Sequence, residues 1–194
     1  MSYYEIELTL NQRKLAMWLV ENSDIARRGD GTDGTDVQQY AGIVGQIALA
    51  DELNEPRPTK QSLAKFDGGV DFTHGGQNID LKVQPHNYPF QDYFVQNIYA
   101  SQVENPDYKT DVYLFAHINT KKKIMEVIGW IRKCDLIRRP IGVSFLHKGE
   151  RRRRNNGTIF IAHGDMYEIS TSALQKFTNP ADFSFQMEEL SRIL

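Results

Sequence analysis

The sequence predicts a domain of mixed class, α/β or α+β, with a central mixed β-sheet flanked by helices. Three observations carry this expectation. Two early segments repeat apolar residues at helical spacing. Several later runs of five to eight residues alternate in the manner of strands, with Gly, Asn and Lys turns between them. No internal repeat or shift of composition divides the 194 residues, so one unit over 1–194 is expected, with an N-terminal helical extension to about residue 34.

In chain order, residues 10–22 place Leu15, Trp18 and Leu19 at helical spacing. ARRGDGTDGTD (26–36) interrupts with three glycines and three aspartates. It lacks the spacing and closing glutamate of a calcium loop, so a solvated loop is expected. A second helix follows from Asp36 to Leu53, with Asp36 as the N-cap, and Pro56 and Pro58 end it. Residues 61–84 read as strand material around a glycine-rich turn at His74–Asn78. Residues 92–104 lean helical through Val95, Ile98 and Tyr99. DVYLFAHI (111–118) and IMEVIGWI (124–131) are strands joined by a charged turn. TIFIA (158–162) and MYEIS (166–170) form a later pair, and Met187–Leu194 a short final helix.

Composition narrows the function classes. Hydrophobic residues make up 40% and charged residues 25%, the balance of a soluble globular chain. No run approaches the ~20 apolar residues that span a bilayer, and MSYYEIELTLNQRK lacks the basic start and apolar run of a secretory signal. The single cysteine, Cys134, excludes an internal disulfide and a cysteine-based zinc cage. A cytoplasmic protein without membrane contact is expected. At a formal net charge of −2, nucleic-acid contact must rest on a local patch. Lys148, Arg151, Arg152, Arg153 and Arg154 supply five cations within seven residues, and Asn155-Asn156-Gly157 marks the segment as a loop. Its alternative is a solvated hairpin tip.

The chemistry centres on Asp71, Asp80 and Lys82. In a strand Asp80 and Lys82 share one face while Ile79, Leu81 and Val83 take the other, into the core. A hairpin through Gly75-Gly76 brings Asp71 alongside Asp80. Two neighbouring carboxylates repel unless a cation sits between them. Magnesium takes one or two carboxylates plus waters and substrate phosphate, and the Leu81 carbonyl is a natural third protein ligand. Lys82 can orient or help deprotonate an attacking water and offset charge on the phosphate. Asp107-Tyr108-Lys109 also matches acid-x-lysine, but it follows a turn signal and lacks alternating apolar flanks. In the second helix Ile43, Gln46, Ala50 and Leu53 share one face, so Gln46 can reach the metal's water shell or bind backbone structurally.

GQIALADEL, DGGVDF, IDLKVQ, DVYLFAHI and IGWI together resemble the PD-(D/E)XK nuclease superfamily, from about Gln38 to Ile131. The resemblance implies a restriction-endonuclease-like core of helix–strand–strand–strand–helix–strand. It implies Asp71 and Asp80 as metal-binding acids, Lys82 as the catalytic lysine, and Gln46 where many members carry glutamate. The implied activity is a Mg²⁺-dependent DNA endonuclease, with Mn²⁺ able to substitute and no organic cofactor. Cutting both strands of a duplex needs two active sites, hence a possible homodimer. The rival reading is a non-catalytic nucleic-acid-binding domain of the same fold, and a further one a structural protein in which the trio is a salt bridge.

Around this centre, Gln84 continues the Asp80–Lys82 face towards DNA. His74 lies in the turn, where exposure is expected. His86, His117, His147 and His163 show no zinc spacing. Trp130 reads as core. Tyr88, Phe90, Tyr93 and Phe94 read as aromatic packing or as a stacking surface for bases.

Overall fold

In the computed structural model, residues 3–23, 35–64, 68–154 and 157–193 are described. Strand β1 (Tyr4–Glu7) precedes helices α1 (Leu10–Asn22), α2 (Asp36–Leu53) and α3 (Lys60–Leu63). Strands β2 (Phe72–His74), β3 (Gln77–His86) and β4 (Val95–Tyr99) follow, then α4 (Ala100–Glu104), β5 (Val112–Asn119) and β6 (Ile124–Arg132). The chain continues through α5 (Lys133–Arg138), β7 (Val143–Leu146), β8 (Arg151–Arg153), β9 (Ile159–Ile161) and β10 (Met166–Ser170) to α6 (Pro180–Ile193).

The main sheet is mixed, in the order β1-β6-β5-β3-β2; β3 and β5 run parallel and the other pairs antiparallel. All eight residues of β5 are buried, because both faces of the sheet are covered. On one face Ile79, Leu81, Leu114 and Met125 pack with Val44 and Ile47 of α2 and Phe183 of α6. On the other, Tyr113, Phe115 and Ile128 pack with Ile98, Tyr167 and Ile169 of a second sheet, β4-β10-β7. A mixed sheet flanked by helices is therefore present. Among the described residues, no helix is long and apolar enough to cross a membrane.

Several local expectations change. Thr35, not Asp36, caps α2: its hydroxyl accepts from the Gln38 N–H and the Gln38 side chain returns to the Thr35 N–H. Asp36 sits instead in the first turn, where its charge suits the helix dipole. The 26–36 loop lies mostly outside the described residues. The N-terminal extension is not wholly helical, since Tyr4–Glu7 pairs with Ile124–Val127 at the sheet edge. Residues 61–63 belong to α3, capped by Thr59. Residues 95–99 are a strand: Gln96 and Ile98 are buried with half-exposed neighbours, a period of two. Only 100–104 is helical there. The final helix begins at Pro180, whose fixed φ and missing N–H suit the first helical position.

The linear order α2–α3–β2–β3–β4–α4–β5 departs from helix–strand–strand–strand–helix–strand by the short α3, and β4 pairs with β10 in the second sheet rather than with the hairpin. The two late strands also do not pair with each other. β9 pairs with β8, and β10 lies between β4 and β7.

Candidate functional site

The hairpin β2–β3 turns on Gly75 and Gly76, both at positive φ (55° and 77°), the geometry of a two-residue type I′ turn that glycine adopts without strain. The turn is pressed against α6; a Cβ on Gly75 would stand 2.7 Å from the Met187 Cβ. That turn fixes the register His74↔Gln77, Thr73↔Asn78 and Phe72↔Ile79; Asp71 then returns to Ile79, which Phe72 already faces, instead of taking the expected place opposite Asp80. The Asp71 N–H donates to the Ile79 carbonyl (2.9 Å) and closes the hairpin.

Beyond this point β2 ends and β3 continues alone along that edge. The Asp71 carboxylate takes the place of a neighbouring strand: Oδ2 accepts from the Leu81 N–H (2.6 Å) and Oδ1 from Gln46 Nε2 (2.5 Å). Gln46 reaches it because α2 approaches β3 closely at Gly45, where a Cβ would stand 2.8 Å from Val83 Cγ2. Gln46 thus holds an acid in place through its amide.

Asp80 is 4% exposed on the opposite face of β3. Its Oδ2 lies 2.7 Å from Lys82 Nζ. The ammonium is the counter-charge for this buried acid. Beneath the pair, the Tyr113 ring lies 5.9 Å from Lys82 Nζ, and its hydroxyl donates to the Gln102 carbonyl (2.9 Å). Burial, and then the Asp80 charge, push the Tyr113 phenol pKa upward, so this phenol stays neutral.

Backbone direction adds one more oxygen. The N–H and C=O of one strand residue point to the same side. Asn78 and His86 bond towards β5 and its end, through Asp111 and Thr120, whereas Ile79 and Leu81 bond towards Asp71. The alternation therefore directs the Leu81 carbonyl to the edge where Asp71 sits. The five residues form two groups on β3: Asp71 with Gln46 and Leu81 at the edge, and Asp80 with Lys82 on the other face. Among the described residues no three or more His, Cys, Asp or Glu gather as a metal cage.

The basic cluster departs from expectation. Arg151–Arg153 is a strand, not a loop, and Arg152 (3.1 Å) and Arg154 form ion pairs with the buried Glu168 of β10. Lys148 and Arg151 are exposed. Gln84, Arg152, Arg153 and Arg154 meet around a cleft of about 390 Å³, which Lys148 and Arg151 do not line. Glu168 was not foreseeable as their partner, because only the tertiary fold brings β10 beneath β8.

His74 is not an exposed turn residue. Its Nδ1 contacts Glu55 Oε1 and its Nε2 contacts Ser184 Oγ, both at 2.7 Å, and it ties the hairpin to α6. Trp130 is core, with Nε1 donating to Gln186 Oε1 (2.8 Å). Phe90 packs in the second core, while Tyr88 and Tyr93 are half exposed. His117 is buried and stacks on His86 with ring centres 4.0 Å apart; burial and the neighbouring His86 push its pKa down to about 3. No protein-family model matches this chain, and no curated protein matches it.

Proposed function

We propose that the protein is a Mg²⁺-dependent phosphodiester hydrolase cutting DNA, built on a restriction-endonuclease-like core. The observation that carries this reading is a buried acid–lysine pair, Asp80 with Lys82 at 2.7 Å, on the strand whose Leu81 N–H and neighbour Gln46 hold a second acid, Asp71. Lys82 already offsets the buried Asp80 charge, so the case for a divalent ion rests on the donor types. The donor set is what magnesium prefers, all oxygen and few in number. Asp71, Asp80 and the Leu81 carbonyl would hold the ion; once bound, Mg²⁺ lowers the pKa of its water and polarises the phosphate.

The chain's own residues do the rest. Gln46 and the Leu81 N–H orient the Asp71 carboxylate. Lys82 would be freed from Asp80 if a cation took over that carboxylate's charge, and its ammonium would then offset negative charge developing on the phosphate oxygens. Gln46 is a positioning residue here, since it binds the acid rather than contributing a charge of its own. Lys148 and Arg151, exposed and cationic, suit contacts to the DNA backbone. A homodimer would supply the second site for cutting both strands. A cytoplasmic location fits the lone, exposed Cys134.

The test is cleavage of plasmid, linear and branched DNA with Mg²⁺ or Mn²⁺ by the wild type, Asp80→Ala and Lys82→Ala. The expected result is metal-dependent cutting that falls by at least about a hundredfold in both variants. No cutting of any substrate, together with no Mg²⁺-induced rise in melting temperature, would overturn the reading in favour of a non-catalytic nucleic-acid-binding domain.

A further inference from the structure

The cleft beyond Lys82 has no part in the hydrolytic scheme, yet it opens on the same face of the same strand. Asp80, Lys82, Gln84 and His86 alternate along β3, and Gln84 and His86 line the cleft. Gln84 stands one same-face step, about 7 Å, past Lys82. Whatever enters the cleft is therefore close to a phosphate bound at the acid–lysine pair.

Its lining combines three chemistries. His86, Tyr88 and Phe94 give an aromatic wall, with centroids 4.8 Å apart for His86–Tyr88 and 5.8 Å for Tyr88–Phe94. These rings meet at tilts of 48° and 75°, and Tyr88 is 46% exposed, so its face is not covered by a parallel partner within this cluster. Arg152 and Arg154 pair with Glu168 and Arg153 adds a third cation to the lining, which leaves the cleft positive. The amides of Gln84 and Asn97 supply donors and acceptors at its wall. The volume of about 390 Å³ lies in the small-molecule range rather than that of a helical groove.

We propose that this cleft takes an unstacked base of a single-stranded DNA segment, next to the phosphate to be cut. Aromatic faces, amides and surplus arginine charge together match a nucleotide: base stacking on Tyr88, polar edges met by Gln84 and Asn97, phosphate met by the arginines. A base inside a duplex is already stacked on both faces and cannot reach the wall without leaving the helix. The protein therefore prefers single-stranded, flapped or otherwise unpaired DNA at the cut. This rests on the hydrolase reading for the position of the phosphate, but its binding claim is measurable without any cutting.

The experiment uses the full chain in EDTA. A short fluorescein-labelled oligodeoxynucleotide and its duplex are compared by anisotropy, and a 2-aminopurine oligodeoxynucleotide by fluorescence quenching. The wild type is expected to bind single strand more tightly than duplex and to quench 2-aminopurine. Tyr88→Ala and Gln84→Ala weaken single-strand binding, the former about tenfold with loss of quenching. Tyr88→Phe retains both, and duplex binding is unchanged throughout. Equal affinity for single strand and duplex, or a Tyr88→Ala variant that binds and quenches as the wild type does, overturns the proposal. Parallel cleavage assays separate the two readings. Cutting with an unaffected Tyr88→Ala variant removes the base cleft alone. Single-strand binding that depends on Tyr88 without any cutting supports the cleft and removes the hydrolase.

Discussion

On the face of β3 that meets α2, Ile79, Leu81 and Val83 pack against Val44, Ile47 and Met125, tightly enough that only glycine fits at position 45 without displacing a neighbour. On the other face Asp80 and Lys82 form a charge pair over Tyr113, and the strand then runs out into a half-open cleft. The first face is held by shape and by removal of apolar surface from water. The second keeps an acid buried at a cost, with one ammonium as compensation. One strand thus carries both the rigid support and the strained chemistry, and the support fixes the position of the acids.

The largest expected effect is on the packed face. Leu81→Ala, at 5% exposure, is expected to lower stability by about 2–5 kcal/mol in chemical denaturation while leaving the backbone carbonyl in place. A smaller loss than that of Lys82→Met would erase the distinction between the faces. Gly45→Ala puts a Cβ 2.8 Å from Val83 Cγ2 and 3.4 Å from Met125 Sδ, and should cost about 1–3 kcal/mol. By shifting α2 it should also diminish the Mg²⁺-dependent rise in melting temperature, because Gln46 moves with the helix.

On the charged face, Lys82→Met leaves the Asp80 carboxylate buried without its ammonium. With Lys82 itself 20% exposed, a loss of about 1–3 kcal/mol at neutral pH is expected. The double change Asp80→Asn with Lys82→Met should recover most of it, and a purely packing role for Lys82 predicts no recovery. A last effect is on the slope of stability with pH. His117, next to Gln84 in the β3–β5 register, titrates near 6.5 in the unfolded chain but is pushed down to about 3 when buried. Between those values the unfolded chain holds the extra proton, so this residue makes stability fall as pH falls, by up to about 1.4 kcal/mol per unit. Denaturation of wild type and His117→Phe between pH 7 and 4 should show a shallower decline in the variant.

The hairpin was legible because its information is local. Gly75-Gly76 demands a tight turn, and the alternation along β3 sends Ile79, Leu81 and Val83 to the core and Asp80 and Lys82 to the other face; the return of Asp71 to Ile79 was not legible. The strands at 112–119 and 124–132 were equally plain from their apolar runs. The losses share a different cause. His74 binds partners 19 and 110 residues away, and Glu168 meets arginines only once β10 lies under β8. No local pattern encodes either contact. Val95–Tyr99 misled because Val95, Ile98 and Tyr99 suit helical spacing, while the burial of Gln96 beside β10 makes it a strand. Asp36 was displaced as cap by its neighbour Thr35, a difference of one residue between two good capping side chains.

An open strand edge is also an invitation to other chains, since unpaired N–H and C=O groups template further strands and lead to aggregation. By the alternation that turns the Leu81 N–H away from β5, the backbone of residue 85 faces the same edge, and that residue is Pro85. Its ring removes the N–H that an incoming strand would need and sacrifices no bond to β5. The edge can thus stay accessible to an ion and a phosphate while being blunted against self-association.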